Sequence, residues 1–570
     1  MKLRCLLFFC FLFAGIINAF SIDREAFTFT NYDLSVRVDP TQQRIGVRGK
    51  ITLRNDSTTL QKTAVLQISS SLDWRSIASG GKPLQFVMQP YTADIDHTGK
   101  LSEAIVTLPS AVPPGSSIEI DVGYEGVIVL DATRLTRIDA PEAQATGSDW
   151  DQISANFTAV RGAGYVTWYP IATPDASLAD NSLFDVLGAW KLRESNSKMR
   201  LQMQIQKNEG QAPELLVNAT TCPMSREEAH QFVADCTYRS LGSVVPAFVI
   251  ADYETVDRLS VAVHFLHGHD ASATGYADAA DKVLPFITEW FGAAKSKAQT
   301  ADLPDAGATP FESGPLLLTS LSSLDAKLAG LVAAHQLTHA AFPSQRQWID
   351  EGLAHFAQAL YLEDQKGRQT ALDYMATHRS AFNAAEKQAS RKPEEEAAGS
   401  LINTADEELY RSKAMYVWWM LRDMIGDAPL KKALAAYRPD QDKESSYMPR
   451  LIQAQTQRDL EWFFDDWVYR DRGLPDFKVE SAFPRKTMND AFLVTVTVSN
   501  LGAAGAEVPV IIKFTGGETV KRVEVRGNSK GVFRVEIPKE LEEIVVNDGS
   551  VPESDLNNNI LKVEPGESSQ

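Results

Sequence analysis

Two histidines four residues apart, His335 and His339 in "AAHQLTHAAF", have the spacing in this sequence that points most directly to chemistry. On a helix, positions i and i+4 share a face, so both imidazoles can reach one ion. A zinc ion held by two imidazoles needs a third protein ligand if one position is to stay open for water or substrate. Beyond a turn marked by Pro343, "QRQWIDEGLAHF" offers Glu351. Two antiparallel helices joined by that turn bring Glu351 against the pair. The expected metal set is His335, His339 and Glu351 around one zinc ion.

The elements that must position these residues fall in a stretch with helical periodicity. "ADAADKVLPFITEWFGAAK", "LDAKLAGLVAAHQLTHAAF", "QWIDEGLAHFAQALYLEDQ" and "SKAMYVWWMLRDMIGD" each predict a helix. "GPLLLTSL" reads as a buried strand between them, and the charged "EKQASRKPEEEAAG" as a solvated loop. On either side the period is two. "NYDLSVRV" alternates Tyr32, Leu34, Val36 and Val38; "RIGVRGKITL", "KMRLQMQIQ" and "LSVAVHFL" are further strands. After Pro475, "AFLVTVTVSN" and "VPVIIKFTGGETVKRVEV" return to alternation, with Gly516-Gly517 as a hairpin turn. The expected organisation is multidomain α+β. An N-terminal β-domain covers 20–160, and a second β-rich region, 161–265, is either part of it or a smaller unit. A mainly helical zinc domain covers 266–475 and a C-terminal β-sandwich 476–570.

Residues 1–19 read as a signal peptide: Lys2 and Arg4, an apolar run from Leu6 to Ile17, then a small residue at the cut. That run is too short to span a membrane comfortably, so a secreted or periplasmic protein without stable membrane insertion is expected. The formal net charge is −18, and loss of the signal makes it two units more negative. Such a balance argues against nucleic acid as a partner. Of four cysteines, Cys5 and Cys10 leave with the signal, and an exported chain left with Cys222 and Cys236 is expected to join them in a disulfide.

"HQLTH" followed by "WIDEGLAHF" resembles the H-E-x-x-H … W-L-N-E-G-F-A signature of the gluzincin aminopeptidases, the alanyl aminopeptidase superfamily. "YDLSVRVDP", "GKITLRN", "WYPIATP" and "MLRDMIGD" are similar to other segments of that family. The resemblance implies a thermolysin-like zinc domain, a zinc cofactor and a peptide substrate or ligand. It also implies roles. Gln336 stands where the family's glutamate takes a proton from the attacking water. Glutamine can hold that water through its amide oxygen but cannot accept the proton, and loss of general-base catalysis costs about 10²–10⁴ in rate. Asp350 or His355 are candidates for a substitute base, with His355 better placed for a packing or ligand-orienting role. The family's oxyanion-stabilising tyrosine falls near "ELYRSKAM": alignment on Lys413 puts its position at Arg411, with Tyr410 adjacent. In "TPFESGPLLLTSL", Glu312 is the candidate for holding a substrate's α-amine. The connection to the third ligand is shorter than the family's usual one, as in a compact, divergent member.

"HFLHGHD" gathers His264, His267, His269 and Asp270, but at the end of a strand they read as unrelated histidines and not as a second metal site. Two functional readings follow from the constellation. One is a zinc-dependent peptidase of aminopeptidase type; the other is an inactive relative that keeps the metal and binds peptide or protein. A third reading, a β-rich surface protein without metal, leaves the ligand spacing unexplained.

Overall fold

A computed structural model describes residues 22–563, apart from 180–181, 208–211, 219, 229, 239–240, 242–243, 390–399, 403 and 405. The expected signal peptide, the "PGESSQ" tail and most of the "EKQASRKPEEEAAG" run lie outside the described residues. The architecture is multidomain α+β, with N-terminal sheets, a helical middle region and C-terminal sheets.

The alternation of the first strand, Phe27–Asp39, places Tyr32, Leu34, Val36 and Val38 in the core. It lies inside an eight-stranded sheet, antiparallel to Arg44–Asn55 on one edge and parallel to Lys198–Gln206 on the other. Part of the second β-rich region is therefore continuous with the first sheet. Between the two comes helix α1 (Ser182–Glu194). Cys222 and Cys236 are bonded, with their Cα atoms 6.0 Å apart. Cys236 sits in the eight-stranded sheet opposite Leu201, and Cys222 follows Thr220–Thr221 of a neighbouring four-stranded sheet, so the bond staples two sheets together.

The strands Glu254–Asp257 and Val261–Phe265 join the middle region, whose sheet thus begins ahead of residue 266. They form a five-stranded mixed sheet with Ala298–Asp302, Leu316–Thr319 and, at the edge, Phe311–Ser313. Leu316–Thr319 is the buried strand expected from "GPLLLTSL". Against this sheet pack α2 (Asp270–Phe291) and α3 (Ala329–Ala341); α4 (Gln347–Lys366) packs on α3, and α5 (Arg368–Ala389) and α6 (Ala414–Ile425) pack on α4. The first residues of the charged run are not loop but continue α5. Small side chains let the helices approach closely. Ala333, Ala334, Ala340 and Ala341 of α3 are buried, and a Cβ at Gly352 of α4 would lie 2.6 Å from Ala414 Cβ.

The C-terminal strands form a three-stranded and a four-stranded sheet. The hairpin between Ala506–Phe514 and Gly517–Val525 pairs Phe514 with Gly517, so Thr515 and Gly516 make the turn and Gly517 begins the strand. Gly516, at φ +87°, takes the left-handed conformation that such a turn requires. Among the described residues no helix is long and apolar enough to cross a membrane.

Candidate metal centre

Helix α3 presents His335 and His339 from one face, as i and i+4 must, and their Nε2 atoms are 3.1 Å apart. Helix α4 follows a short turn and brings Glu351 to them. Its carboxylate lies 3.6 Å from His335 Nε2 and 3.8 Å from His339 Nε2. The edge strand supplies a fourth group: Glu312 Oε2 is 2.8 Å from His335 Nε2 and 3.5 Å from His339 Nε2. One donor atom from each of these four residues falls within 4.8 Å of all the others.

Four atoms that each offer a lone pair thus converge in a largely buried spot, and only positive charge can reconcile them. Burial opposes a charge on His339, yet Asp350, Glu351 and Glu312 outweigh it and push its pKa up to about 10. Burial likewise works to raise Glu312 and Glu351. The two histidines hold Glu312 below the usual carboxylate range, and Arg411, then the histidines, do the same at Glu351. Two imidazoles and two carboxylates are a donor set suited to zinc.

Asp350 stands behind this group. Its Oδ1 accepts from the Ser344 amide at 2.9 Å and its Oδ2 is 3.4 Å from His339 Nδ1, a placement that would orient the imidazole if its Nε2 held a metal. His355 packs edge-on against His335, ring centroids 4.9 Å apart, and against His378 at 5.6 Å. Its Nδ1 is buried without a partner, and burial first, then the charge of His335, pushes its pKa well below the ordinary value.

Gln336 is turned into the protein core. Its Oε1 accepts from Tyr276 Oη at 2.5 Å and Thr300 Oγ1 at 3.0 Å; its Nε2 donates to the Gln299 carbonyl at 2.9 Å and the Pro315 carbonyl at 3.3 Å. All four hydrogen-bonding positions of the amide are filled by protein, and the residue is 1% exposed. The oxygen that would hold a water has no capacity left for one.

The segment before α6 is a π-helical turn, Glu408–Lys413. Arg411 Nε donates to Glu351 Oε2 at 3.2 Å, and the guanidinium lies 5.7 Å from the Tyr410 ring centroid. Of the two oxyanion candidates, Arg411 is therefore the one hydrogen-bonded to an expected ligand. Tyr410 is buried, and burial, with Glu407 next, keeps its hydroxyl protonated. Lys413 is enclosed between Glu386 and Asp471. Lys191 of α1, which carries no motif that would single it out, feels Asp350, Glu351 and Arg411; burial lowers its ammonium pKa despite the two carboxylates.

The second histidine group is dispersed. His264 bonds Glu214 and Gln299, His269 bonds Asp302, and His267 is exposed beside Glu254. A cavity of about 550 Å³ lined by residues such as Arg450, Trp462 and Tyr469 includes none of the four donors.

No protein-family model and no curated protein matches the sequence. Solved structures do. A point mutant of an M1 zinc metallopeptidase from Deinococcus radiodurans, bound to a Tyr-Ser-Ala substrate, aligns with a TM-score of 0.53 at 16% identity, over 79% of this chain and 96% of that one. The same metallopeptidase mutant and the unmutated protein each align at a TM-score of 0.50 and 14% identity, over 78% of this chain and 94% of theirs. The likeness is one of fold. It extends through the N-terminal sheets, the helical region and the C-terminal sheets, which is the architecture of the M1 zinc metallopeptidases.

Proposed function

We propose that this protein is an exported, zinc-holding relative of the M1 metallopeptidases that binds peptides without hydrolysing them. Zinc is held by His335, His339 and Glu351, with Asp350 fixing the His339 ring. Held by those three donors alone, a zinc ion would supply Lewis-acid polarisation. What the chain's own residues then lack is a proton acceptor. The observation that carries the reading is the saturated amide of Gln336, which can neither accept a proton nor orient a water. Asp350 accepts from the Ser344 amide and stands at the Nδ1 side of His339, away from the Nε2 atoms, and His355 packs edge-on against His335, so we read both as supports of the ligands and not as substitute bases.

Peptide as the ligand is supported by the similar fold that holds Tyr-Ser-Ala. Arg411, its side chain 38% exposed beside Glu351, offers a donor to a peptide carbonyl or carboxylate. Tyr410 lies beneath it. Export is supported by the leader-like residues 1–19 and by the Cys222–Cys236 bond, which suits an oxidising compartment.

The test is hydrolysis of a panel of aminoacyl and tripeptide substrates by zinc-loaded protein, beside calorimetric binding of the same tripeptides. Binding with turnover at the buffer background is expected. Zinc-dependent turnover that disappears in His335→Ala would overturn the proposal and make the protein an active peptidase.

A further inference from the structure

We propose that Glu312 is a fourth ligand that closes the metal centre, in place of the amine-holding role its sequence context suggested. The inference rests on the reading that His335, His339 and Glu351 hold zinc. The five separations between histidine nitrogens and their nearest donor partners run from 2.8 to 3.8 Å. A tetrahedral ion with bonds of about 2.0–2.1 Å needs donors about 3.3 Å apart. Glu312 fits this spacing at least as well as Glu351 does, since it stands nearer to both imidazoles.

Its position is imposed by the backbone. Phe311–Ser313 is paired to Leu316–Thr319, with Glu312 opposite Leu317. Phe311 and Ser313 on either side are buried, the first edge-on to Tyr165 and the second accepting from the Val245 amide. Strand alternation then sends Glu312 the opposite way, onto the histidines. At 24% its side chain is the most exposed of the four donors, so it lies on the solvent side of the group, where an incoming ligand would have to approach. Four protein donors leave no open position, the arrangement of structural zinc sites, and two carboxylates balance the charge of a divalent ion. The centre then stabilises the junction of the edge strand, α3 and α4.

Cobalt(II) provides the readout on the full chain. Wild type is expected to bind one equivalent with the intense visible bands of a four-coordinate ion, unmoved by added acetohydroxamate. Glu312→Gln should lose at least about tenfold in cobalt affinity, with bands that now shift on adding acetohydroxamate. Zinc K-edge absorption of the wild type, which depends on no variant folding, should show four nitrogen or oxygen neighbours. Wild-type bands that shift with acetohydroxamate, or a Glu312→Gln variant of unchanged affinity, would overturn the closed centre while leaving the three-ligand site standing. Failure of wild type to bind cobalt or zinc would overturn both.

Discussion

Gln336 differs from a glutamate by one atom pair, yet its surroundings are built for the amide. Gln336→Glu replaces the donor to the Gln299 and Pro315 carbonyls with a carboxylate oxygen, leaving two buried acceptors facing a third. The expected cost is about 1–3 kcal/mol, read as a lower urea midpoint, with no gain in peptide hydrolysis; a variant that turns over substrate would show that the base alone was missing. The residue types of the site were legible in sequence. Helical spacing placed His335 beside His339, and the short turn delivered Glu351. What spacing could not show is what each side chain meets. The partners of Gln336 come from α2, a strand and the residue before another strand, and Glu312 reaches the histidines through sheet pairing. Such contacts carry no local periodicity.

At the scale of elements, the approach of α4 to α6 fixes where Glu351 stands. Gly352, the next residue, faces Ala414 and the Trp418 indole, whose Nε1 donates to the Trp348 carbonyl while the two indoles stack 5.2 Å apart. Gly352→Ala forces these helices apart. We expect a loss of about 1–3 kcal/mol in thermal or chemical unfolding, together with weaker zinc retention as Glu351 shifts. Pairing it with Ala414→Gly should recover much of both losses, and additive damage in the double variant would place the strain elsewhere. The helices themselves were readable from their apolar stripes. The π-helical turn at Glu408–Lys413 was not, because one extra residue per turn leaves the composition unchanged while it alters which side chain, Tyr410 or Arg411, meets Glu351.

Across the whole molecule, long-range ties join the ends of the β-rich half. Glu194, closing α1, accepts from the Phe29 amide and from Ser197 Oγ, both at 3.1 Å. Burial, only partly offset by Arg193, pushes its pKa up to about 7. A carboxyl raised in the folded state binds its proton there more tightly than in the unfolded chain. Its contribution to stability is therefore largest below about pH 4.5, falls as pH rises to about 7, and stays lost above that. Glu194→Gln should remove that dependence: little change from wild type near pH 4.5, and a higher denaturation midpoint at pH 8. An equal midpoint at both values would refute the shift. The strands of this half were legible one by one from their alternation, but their order in the sheet was not, since the partner of a strand is chosen by the chain that returns to it. The parallel pairing of Phe27–Asp39 with Lys198–Gln206 has a consequence in time. During synthesis the first strand is made early, and Arg44–Asn55 covers one edge at once. The other edge waits for Lys198–Gln206, which at about 5–20 residues per second takes on the order of ten seconds. For that interval an apolar strand with free amides and carbonyls is exposed to other nascent chains, so a holding chaperone that masks residues 27–39 should raise the yield of folded protein more than one acting on the C-terminal sheets.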